Sequence, residues 1–282
     1  MTDAALPDDM PRPRSRREVF YRHTAWVRAW HWINALAILF LLGSGLNIFN
    51  AHPRLYWGQY GADADTPFLS LNSVDGADGA THGLTQIGPW HFDTTGFLGW
   101  SQYRGEYSAR GWPSWMTIPS FQDLADARHW HFLFAWVLAI NLLVYLAWSV
   151  WQRHLQRDIV PTKVDLKSIP RSILDHIRFR HPTGEAARRY NVLQRLAYIG
   201  VIFLICLMVV TGLTMSPAIN AFFPWLLDIL GGRQSARSLH FISATLIVLF
   251  VFVHVAEVFI AGVFNEVRSM ITGYFTVPRE HE

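Results

Sequence analysis

The sequence predicts an all-α membrane protein, a four-transmembrane-helix bundle. Two observations indicate this fold class. Of the 282 residues, 51% are hydrophobic and only 16% are charged, whereas a soluble domain has about 25% charged residues. Four stretches of about 20 residues also contain almost no Asp, Glu, Lys or Arg, and this length crosses the hydrocarbon core of a bilayer.

The four predicted spans are separated by loops of unequal length. We place the spans at residues 30–49, 130–151, 196–215 and 238–261. Trp side chains crowd the ends of the first two spans, as expected for the aromatic belts at membrane interfaces. Ser216-Pro217 ends the third span, and only Glu257 interrupts the fourth.

The rest of the chain divides into loops and tails. Residues 1–20, with three Pro and many charges, are predicted to be a disordered tail, residues 21–275 the membrane domain, and 276–282 a second tail. The loop at 50–129 is long, rich in Gly, Asp, Trp and His, and lacks a helical period. In the basic loop at 152–195, residues 169–177 are predicted to form a short amphipathic helix at the membrane surface.

The distribution of positive charge predicts the orientation. Residues 1–29 and 152–195 together carry sixteen Lys or Arg, and residues 50–129 and 216–237 carry six. Cytoplasmic loops are enriched in Lys and Arg. Both termini and the 152–195 loop are therefore predicted to be cytoplasmic, and the 50–129 loop periplasmic. Arg16-Arg17 resembles a twin-arginine export signal, but the apolar segment that follows is long enough to span.

The histidines are the candidate metal ligands. The single cysteine, Cys206, excludes a four-cysteine iron–sulfur site and a C-x-x-C-H haem attachment. Thirteen His are present, and four lie within or at the edge of the spans: His31, His131, His240 and His254. Ionisable residues inside a bilayer usually face the bundle interior and carry function.

His240 and His254 lie on one span and face the same side. A separation of fourteen residues is close to four helical turns and about 21 Å along the axis. Two imidazoles this far apart cannot share one ion, but each can bind a separate haem.

The topology supplies a second ligand for each haem. The second span enters from outside, which puts His131 level with His240, and the first enters from inside, which puts His31 closer to His254. The expected arrangement is therefore two haems, each held by two His, stacked across the membrane as an electron path. His129 competes with His131, but faces the opposite side of the helix and is less deep.

Several neighbouring residues fit haem binding. Arg28, Arg128 and Arg237 each precede a candidate ligand by three residues, so they either pair with haem propionates or are ordinary charges at the membrane edge. The small residues of Gly43-Ser44-Gly45 and Thr211-Gly212 allow close approach, either of a macrocycle or of another helix.

These motifs resemble a known family. Arg28-Ala-Trp-His31-Trp-Ile-Asn, Arg128-His-Trp-His131-Phe and Arg237-Ser-Leu-His240-Phe, with His254 fourteen residues on, resemble the bacterial cytochrome b561 and nickel–iron hydrogenase b-type cytochrome family. This family includes the cytochrome b subunits of formate dehydrogenase and thiosulfate reductase. The segments at 53–58 and 190–198 look like thiosulfate-reductase-type membrane anchors.

The resemblance implies a bundle that encloses two b-type haems in the bacterial inner membrane, with a quinone site near the inner haem. Asn191 and Gln194 fall where the family's quinone-site residues would lie, although Asn191 is equally suited to cap the third span. The implied function is a respiratory subunit that transfers electrons between the quinone pool and a periplasmic oxidoreductase partner. The thiosulfate-reductase-like segments favour a molybdopterin-dependent partner over a hydrogenase. The surrounding lipid and the quinone are the other expected partners, and no nucleic-acid partner is expected.

Two alternatives stay open at this point. The first is an autonomous enzyme that oxidises superoxide and reduces quinone, which would need a positively charged outer surface. The second is a membrane anchor or metal transporter without redox activity, which would be colourless when purified.

Overall fold

The computed structural model describes residues 17–62, 65–178 and 191–278. Four of its helices are long and apolar enough to cross a membrane. They are α1 (Ala25–Asn50), α2 (Leu124–Trp151), α5 (Val192–Thr214) and α8 (Arg233–Thr272). Each contains nearly all of one predicted span and extends it by a turn or more at one end or both. The multi-pass membrane architecture follows from these helices, but the protein is mostly helical rather than all-α, because eight short β-strands of the described ranges lie outside the bundle.

Helices α1 and α2 begin where polar side chains can bond to free backbone N–H groups. Thr24 accepts from the backbone N–H of Val27 at the start of α1, and Asp123 accepts from Ala125 and Asp126 at the start of α2. Such caps are typically worth about 1 kcal/mol each.

Helix α8 is forty residues long and contains one break. Gly262 has φ 106° and ψ 83°, a conformation that non-glycine residues rarely adopt. The break lies eight residues beyond His254, so the helix is regular through the segment that carries both of its histidines.

The four helices pack as two hairpins. Helix α1 packs mainly against α2, and α5 mainly against α8. A central apolar cluster joins all four helices at mid-depth and consists of Ala37, Leu138, Leu142, Ile205 and Ile247. Ile247 lies seven residues from both His240 and His254, so this cluster separates the levels of the two histidines.

One end of the bundle, called here the sheet end, carries the segment between α1 and α2. It contains a four-stranded antiparallel sheet and a separate hairpin. The sheet is formed by β2 (Arg54–Leu55), β3 (Leu69–Asp75), β4 (Thr81–Ile87) and β5 (Trp90–Asp93), and the hairpin by β6 (Gly99–Tyr103) and β7 (Glu106–Arg110). A 3-10 turn (Ser114–Met116) follows, and the short helices α6 (Pro217–Phe222) and α7 (Trp225–Ile229) lie between α5 and α8.

Arg110 organises the chain that returns from the hairpin to α2. Only 3% of this residue is exposed, and its guanidinium donates to the carbonyl oxygens of Trp112 and Ser120 and to the hydroxyl of Thr117. Burial lowers the pKa of Arg110 from its ordinary value. Its three acceptors compensate for the lost hydration.

The segment at 52–58 caps the start of α8. The backbone N–H groups of Gln234 and Ser235 donate to the carbonyl of Gly58 at 3.0 and 3.1 Å, and Ser238 donates to the carbonyl of Tyr56 at 2.6 Å. Gly232 has a positive φ of 103°, and a Cβ there would lie 2.7 Å from the backbone of Gln59. A loop far away in the sequence therefore satisfies the donors of the first turn of α8.

The opposite end, called the ribbon end, carries a two-stranded antiparallel ribbon of β1 (Arg17–Tyr21) and β8 (Tyr274–Pro278). This corrects two expectations, because residues 17–20 and 276–278 were predicted to lie in tails. Their backbones instead pair with each other, across more than 250 residues of sequence. Residues 1–16 and 279–282 lie outside the described residues.

The ribbon end also carries the chain between α2 and α5. A π-helical turn (Leu155–Ile159) is followed by α3 (Lys163–Lys167) and α4 (Ile169–Ile177). The helix predicted at 169–177 is therefore confirmed. Asp165 pairs with Arg195 of α5 at 3.0 Å, and this contact attaches α3 to the start of α5. Residues 179–190 of the predicted basic loop lie outside the described residues.

Candidate functional site

The histidines at the sheet end form a pair. His131 lies in the second turn of α2 and His240 in the second turn of α8. Their ring centres are 6.2 Å apart and the ring planes meet at 57°. His129 is not part of the pair, because its side chain is 83% exposed.

A second pair with the same geometry lies toward the ribbon end. His31, in the second turn of α1, faces His254 of α8, with ring centres 6.2 Å apart and planes at 59°. Phe250 stacks on His254, with 5.8 Å between the ring centres and 6° between the planes. The structure thus brings together the same two pairs that depth and topology predicted.

The spacing within each pair suits a metal ion held between two imidazoles. A metal–imidazole bond is about 2 Å long and a ring nitrogen lies roughly 1 Å from its ring centre, so a shared ion separates the two centres by roughly 6 Å. Among the described ranges, no group of three or more His, Cys, Asp or Glu could hold a metal ion. Two ligands per site fit haem, because the porphyrin supplies the four equatorial nitrogens and the protein supplies the axial ones.

Two hydroxyl groups complete the surroundings of the sheet-end pair. Ser44 Oγ lies 3.1 Å from His131 Nδ1, and Thr211 Oγ1 lies 2.9 Å from His240 Nδ1. Both residues are 0% exposed. The sequence indicated these positions only as small residues, and their contacts with histidine were missed.

The adjacent glycines lie directly against the same two rings. A Cβ on Gly45 would be 3.3 Å from His131 Cε1, and a Cβ on Gly212 would be 3.4 Å from His240 Cε1. Gly43 instead faces Ile118, which a Cβ would approach to 2.6 Å. Gly45 and Gly212 therefore leave room for the histidine rings, whereas Gly43 does not contact them.

Comparison with known proteins identifies the family of the chain. The family model described as prokaryotic cytochrome b561 matches residues 22–273. The chain belongs to this family. Membership confirms the resemblance seen in the histidine motifs and makes the protein a membrane electron-transfer subunit with b-type haem as its cofactor.

Two curated relatives cover nearly the whole chain. A putative protein-methionine-sulfoxide reductase subunit YedZ1 from Azospira oryzae is 28% identical over 258 residues, covering 92% of this chain and 99% of the relative. A probable Ni/Fe-hydrogenase B-type cytochrome subunit from Cupriavidus necator is 24% identical over 270 residues, covering 91% and 86%. No solved structure matches the chain.

The three arginines that precede the histidines of this cytochrome have different surroundings. Arg237 donates to the carbonyl oxygens of His52 and Arg54, and its guanidinium lies 5.6 Å from the ring centre of Phe49. Arg28 donates to the carbonyl of Ile271.

Arg128 is exposed, and its guanidinium lies 5.6 Å from the ring centre of Phe132. The pairing of these three arginines with haem propionates stays a prediction.

Asn191 and Gln194 form a capping box at the start of α5. The side chain of Asn191 accepts from the backbone N–H of Leu193 at 3.2 Å, and Gln194 Oε1 accepts from the backbone N–H of Asn191 at 3.1 Å. Both side chains therefore stabilise the helix start. Their contribution to a quinone site is a prediction that these contacts do not test.

The start of α1, at the ribbon end, lies close to basic side chains. Arg22 pairs with Glu266 at 3.6 Å, and Trp32 Nε1 donates to the carbonyl of Met270 at 3.0 Å. The pKa of His23 is lowered to about 4, first by burial and then by the neighbouring positive charge of Arg22. His23 is therefore neutral at neutral pH.

Proposed function

We propose that this cytochrome binds two b-type haems and carries electrons across the bacterial inner membrane between the quinone pool and a periplasmic oxidoreductase. One haem is held by His131 and His240, the other by His31 and His254. The observation that carries the proposal is the occurrence of two histidine pairs with equal ring separation, 6.2 Å in both cases. They lie about 21 Å apart along α8.

The orientation of this path is inferred from charge. The ribbon end carries the loops that are rich in Arg and Lys, and the positive-inside rule makes this end cytoplasmic. The sheet end is then periplasmic. Both termini lie on the cytoplasmic side in this arrangement, and quinone exchanges electrons near the His31–His254 pair, where Asn191 and Gln194 begin α5.

The sheet end is the proposed docking site for the periplasmic partner. Aromatic residues are enriched at protein interfaces, and several are exposed on the segment between α1 and α2: Trp57, Tyr60, Trp90, Phe92, Tyr107 and Trp115. Both relatives are described as subunits, one of a methionine-sulfoxide reductase and one of a hydrogenase. These descriptions support a separate redox partner, and we propose a molybdopterin-dependent one.

The sheet end offers little support for the alternative of an autonomous superoxide-oxidising enzyme. It requires exposed positive charge there, and the loop at 50–129 has only four basic residues. One of them, Arg110, is buried and bound to backbone carbonyls, so it does not contribute to a surface potential.

The test is a reduced-minus-oxidised visible spectrum with a pyridine-haem count on the purified chain and on four single His→Ala variants. We expect two b-type haems in the unmodified protein. His131→Ala and His240→Ala should lose one and the same haem, and His31→Ala and His254→Ala should lose the other.

His129→Ala is the matched control, because this exposed histidine lies two residues from His131 and should retain both haems. A colourless protein would refute the proposal in favour of a membrane anchor or transporter. A single haem, or a spectrum that none of the four substitutions alters, would also refute it.

A further inference from the structure

The two histidines at the sheet end have matching hydroxyl partners. Each hydroxyl comes from the first helix of the hairpin that carries the histidine: Ser44 of α1 contacts His131 of α2, and Thr211 of α5 contacts His240 of α8. The two hairpins share no evident sequence repeat, yet each presents a hydroxyl residue followed by a glycine to the ring of its own histidine.

The position of the hydroxyl proton decides the direction of these hydrogen bonds. Ser44 Oγ lies 2.6 Å from the carbonyl of Phe40, and Thr211 Oγ1 lies 2.7 Å from the carbonyl of Leu207. A hydroxyl has one proton to donate, and the carbonyl four residues earlier receives it. The oxygen is then left to accept a proton from the imidazole.

The hydroxyls therefore place the imidazole proton on Nδ1. An acceptor beside Nδ1 requires an N–H at that nitrogen, so Nε2 of each ring carries the free lone pair. The ring nitrogen that faces the proposed haem is consequently Nε2, a point that the sequence leaves open.

The ribbon-end pair differs in this respect. The Nδ1 atom of His31 is buried and has no hydrogen-bond partner among the described residues. The two proposed haem sites therefore have the same histidine spacing but different surroundings at the second ring nitrogen.

We propose that Ser44 and Thr211 are positioning residues that set the reduction potential of the sheet-end haem. This inference rests on the proposed function. A ligand histidine that donates its second N–H becomes a stronger base toward the metal, and a more basic ligand stabilises ferric iron relative to ferrous iron. The two hydroxyls thus hold the potential of the sheet-end haem lower than it would be without them.

The experiment is a redox titration of the holoprotein and five variants in lipid nanodiscs. Thr211→Val removes the hydroxyl but keeps the branched shape, Ser44→Ala removes the other hydroxyl, and Thr211→Ser retains a hydroxyl. Thr245→Val is the matched control, because Thr245 makes the same bond to its own helix, to the carbonyl of Phe241 at 2.9 Å, on an exposed face. His254→Ala, which keeps only the sheet-end haem, identifies which potential belongs to it.

We expect each hydroxyl deletion to raise the ratio of reduced to oxidised sheet-end haem at a fixed applied potential by about two- to tenfold, the range of one net hydrogen bond. A tenfold change corresponds to about 59 mV for one electron. The ribbon-end haem should be unaffected, and Thr211→Ser and Thr245→Val should match the unmodified protein. Selective loss of the sheet-end haem in Thr211→Val but not in Thr211→Ser would also support the proposal.

Three results would overturn it. They are unchanged potentials in both deletion variants, equal shifts of both haems, and the same haem loss in Thr211→Ser as in Thr211→Val. A failure of the proposed function can be distinguished from these results, because the unmodified protein would then not contain two haems.

Discussion

Replacing Arg237 tests whether this residue anchors the sheet end or holds a haem propionate. In Arg237→Met the carbonyl oxygens of His52 and Arg54 lose the bonds from the guanidinium, while the His52 carbonyl keeps its bond from the backbone N–H of Arg54. A hydrogen bond to a charged group contributes about 1.5–3 kcal/mol. Because the two bonds share one side chain and their energies do not add fully, we expect local opening of the 52–58 segment to become easier by about 3 kcal/mol. At 1.4 kcal/mol per factor of ten, this raises the equilibrium constant for local opening about a hundredfold.

The assay is amide hydrogen exchange of peptides covering residues 52–58, measured by mass spectrometry on the protein in nanodiscs. Protection should fall about a hundredfold in Arg237→Met and remain largely unchanged in Arg128→Met. Arg128 is a suitable control, because it also precedes a histidine by three residues but is exposed. Unchanged protection in Arg237→Met combined with loss of a haem would refute the anchor and favour the propionate role.

Three further predictions concern the helix interfaces and the sheet. Asn141→Leu removes the amide that donates to Asn34 Oδ1 at 2.6 Å; we expect a loss of about 1–3 kcal/mol, seen as a lower melting temperature and partly recovered when Asn34 is also changed to Leu. Gly45→Val places a branched side chain against His131, where even a Cβ would be 3.3 Å from Cε1; the haem count should fall from two to one, and an unchanged count would contradict the packing. The pKa of Asp78 is lowered from 3.8, mainly by the backbone N–H of Ala80. The ionised carboxylate therefore stabilises the β3–β4 turn above pH 3.8, and this stabilisation is lost as the pH falls through the lowered pKa. The protection factors of residues 75–81, which correct for the intrinsic pH dependence of amide exchange, should fall below about pH 4, and Asp78→Asn should abolish that dependence.

The sequence predicted the features that depend on local composition and helical spacing. Each span is visible as a long stretch without charge, and fourteen residues between His240 and His254 define a common face whatever else surrounds the helix. The pairing with His131 and His31 followed from the direction in which each span crosses the bilayer. The family was evident from the residues around these four histidines.

The features that were missed depend on contacts between distant segments. Strand β5 has only four residues and all of them are exposed, so its alternation of apolar and polar side chains does not correspond to a buried face. The pairing of β1 with β8 joins the two ends of the described chain.

The hydroxyl partners of His131 and His240 could not be derived either. These contacts depend on the axial position of α1 relative to α2 and of α5 relative to α8. Neither relative position can be derived from the sequence of one helix. The only sequence signal was a glycine after each hydroxyl, which indicates close approach but not what approaches. The capping of α8 by Gly58 could not be derived either, because it also joins segments that are far apart in the sequence.

The distance between the histidines of α8 has an energetic consequence for a membrane that carries a voltage. An electron that passes between the two levels travels about 21 Å along the helix through a hydrocarbon core about 30 Å thick, so it crosses roughly two thirds of the electric field. Moving one charge through the full field involves about 2.3 kcal/mol per 100 mV, so the energy of an electron differs between the two levels by roughly 1.6 kcal/mol for each 100 mV. In the proposed orientation, with the ribbon end in the cytoplasm, transfer outward toward the sheet end is favoured by the negative interior, and transfer inward works against it and stores energy. The central apolar cluster around Ile247 lies between the two levels, so electron transfer along the proposed path would be electrogenic.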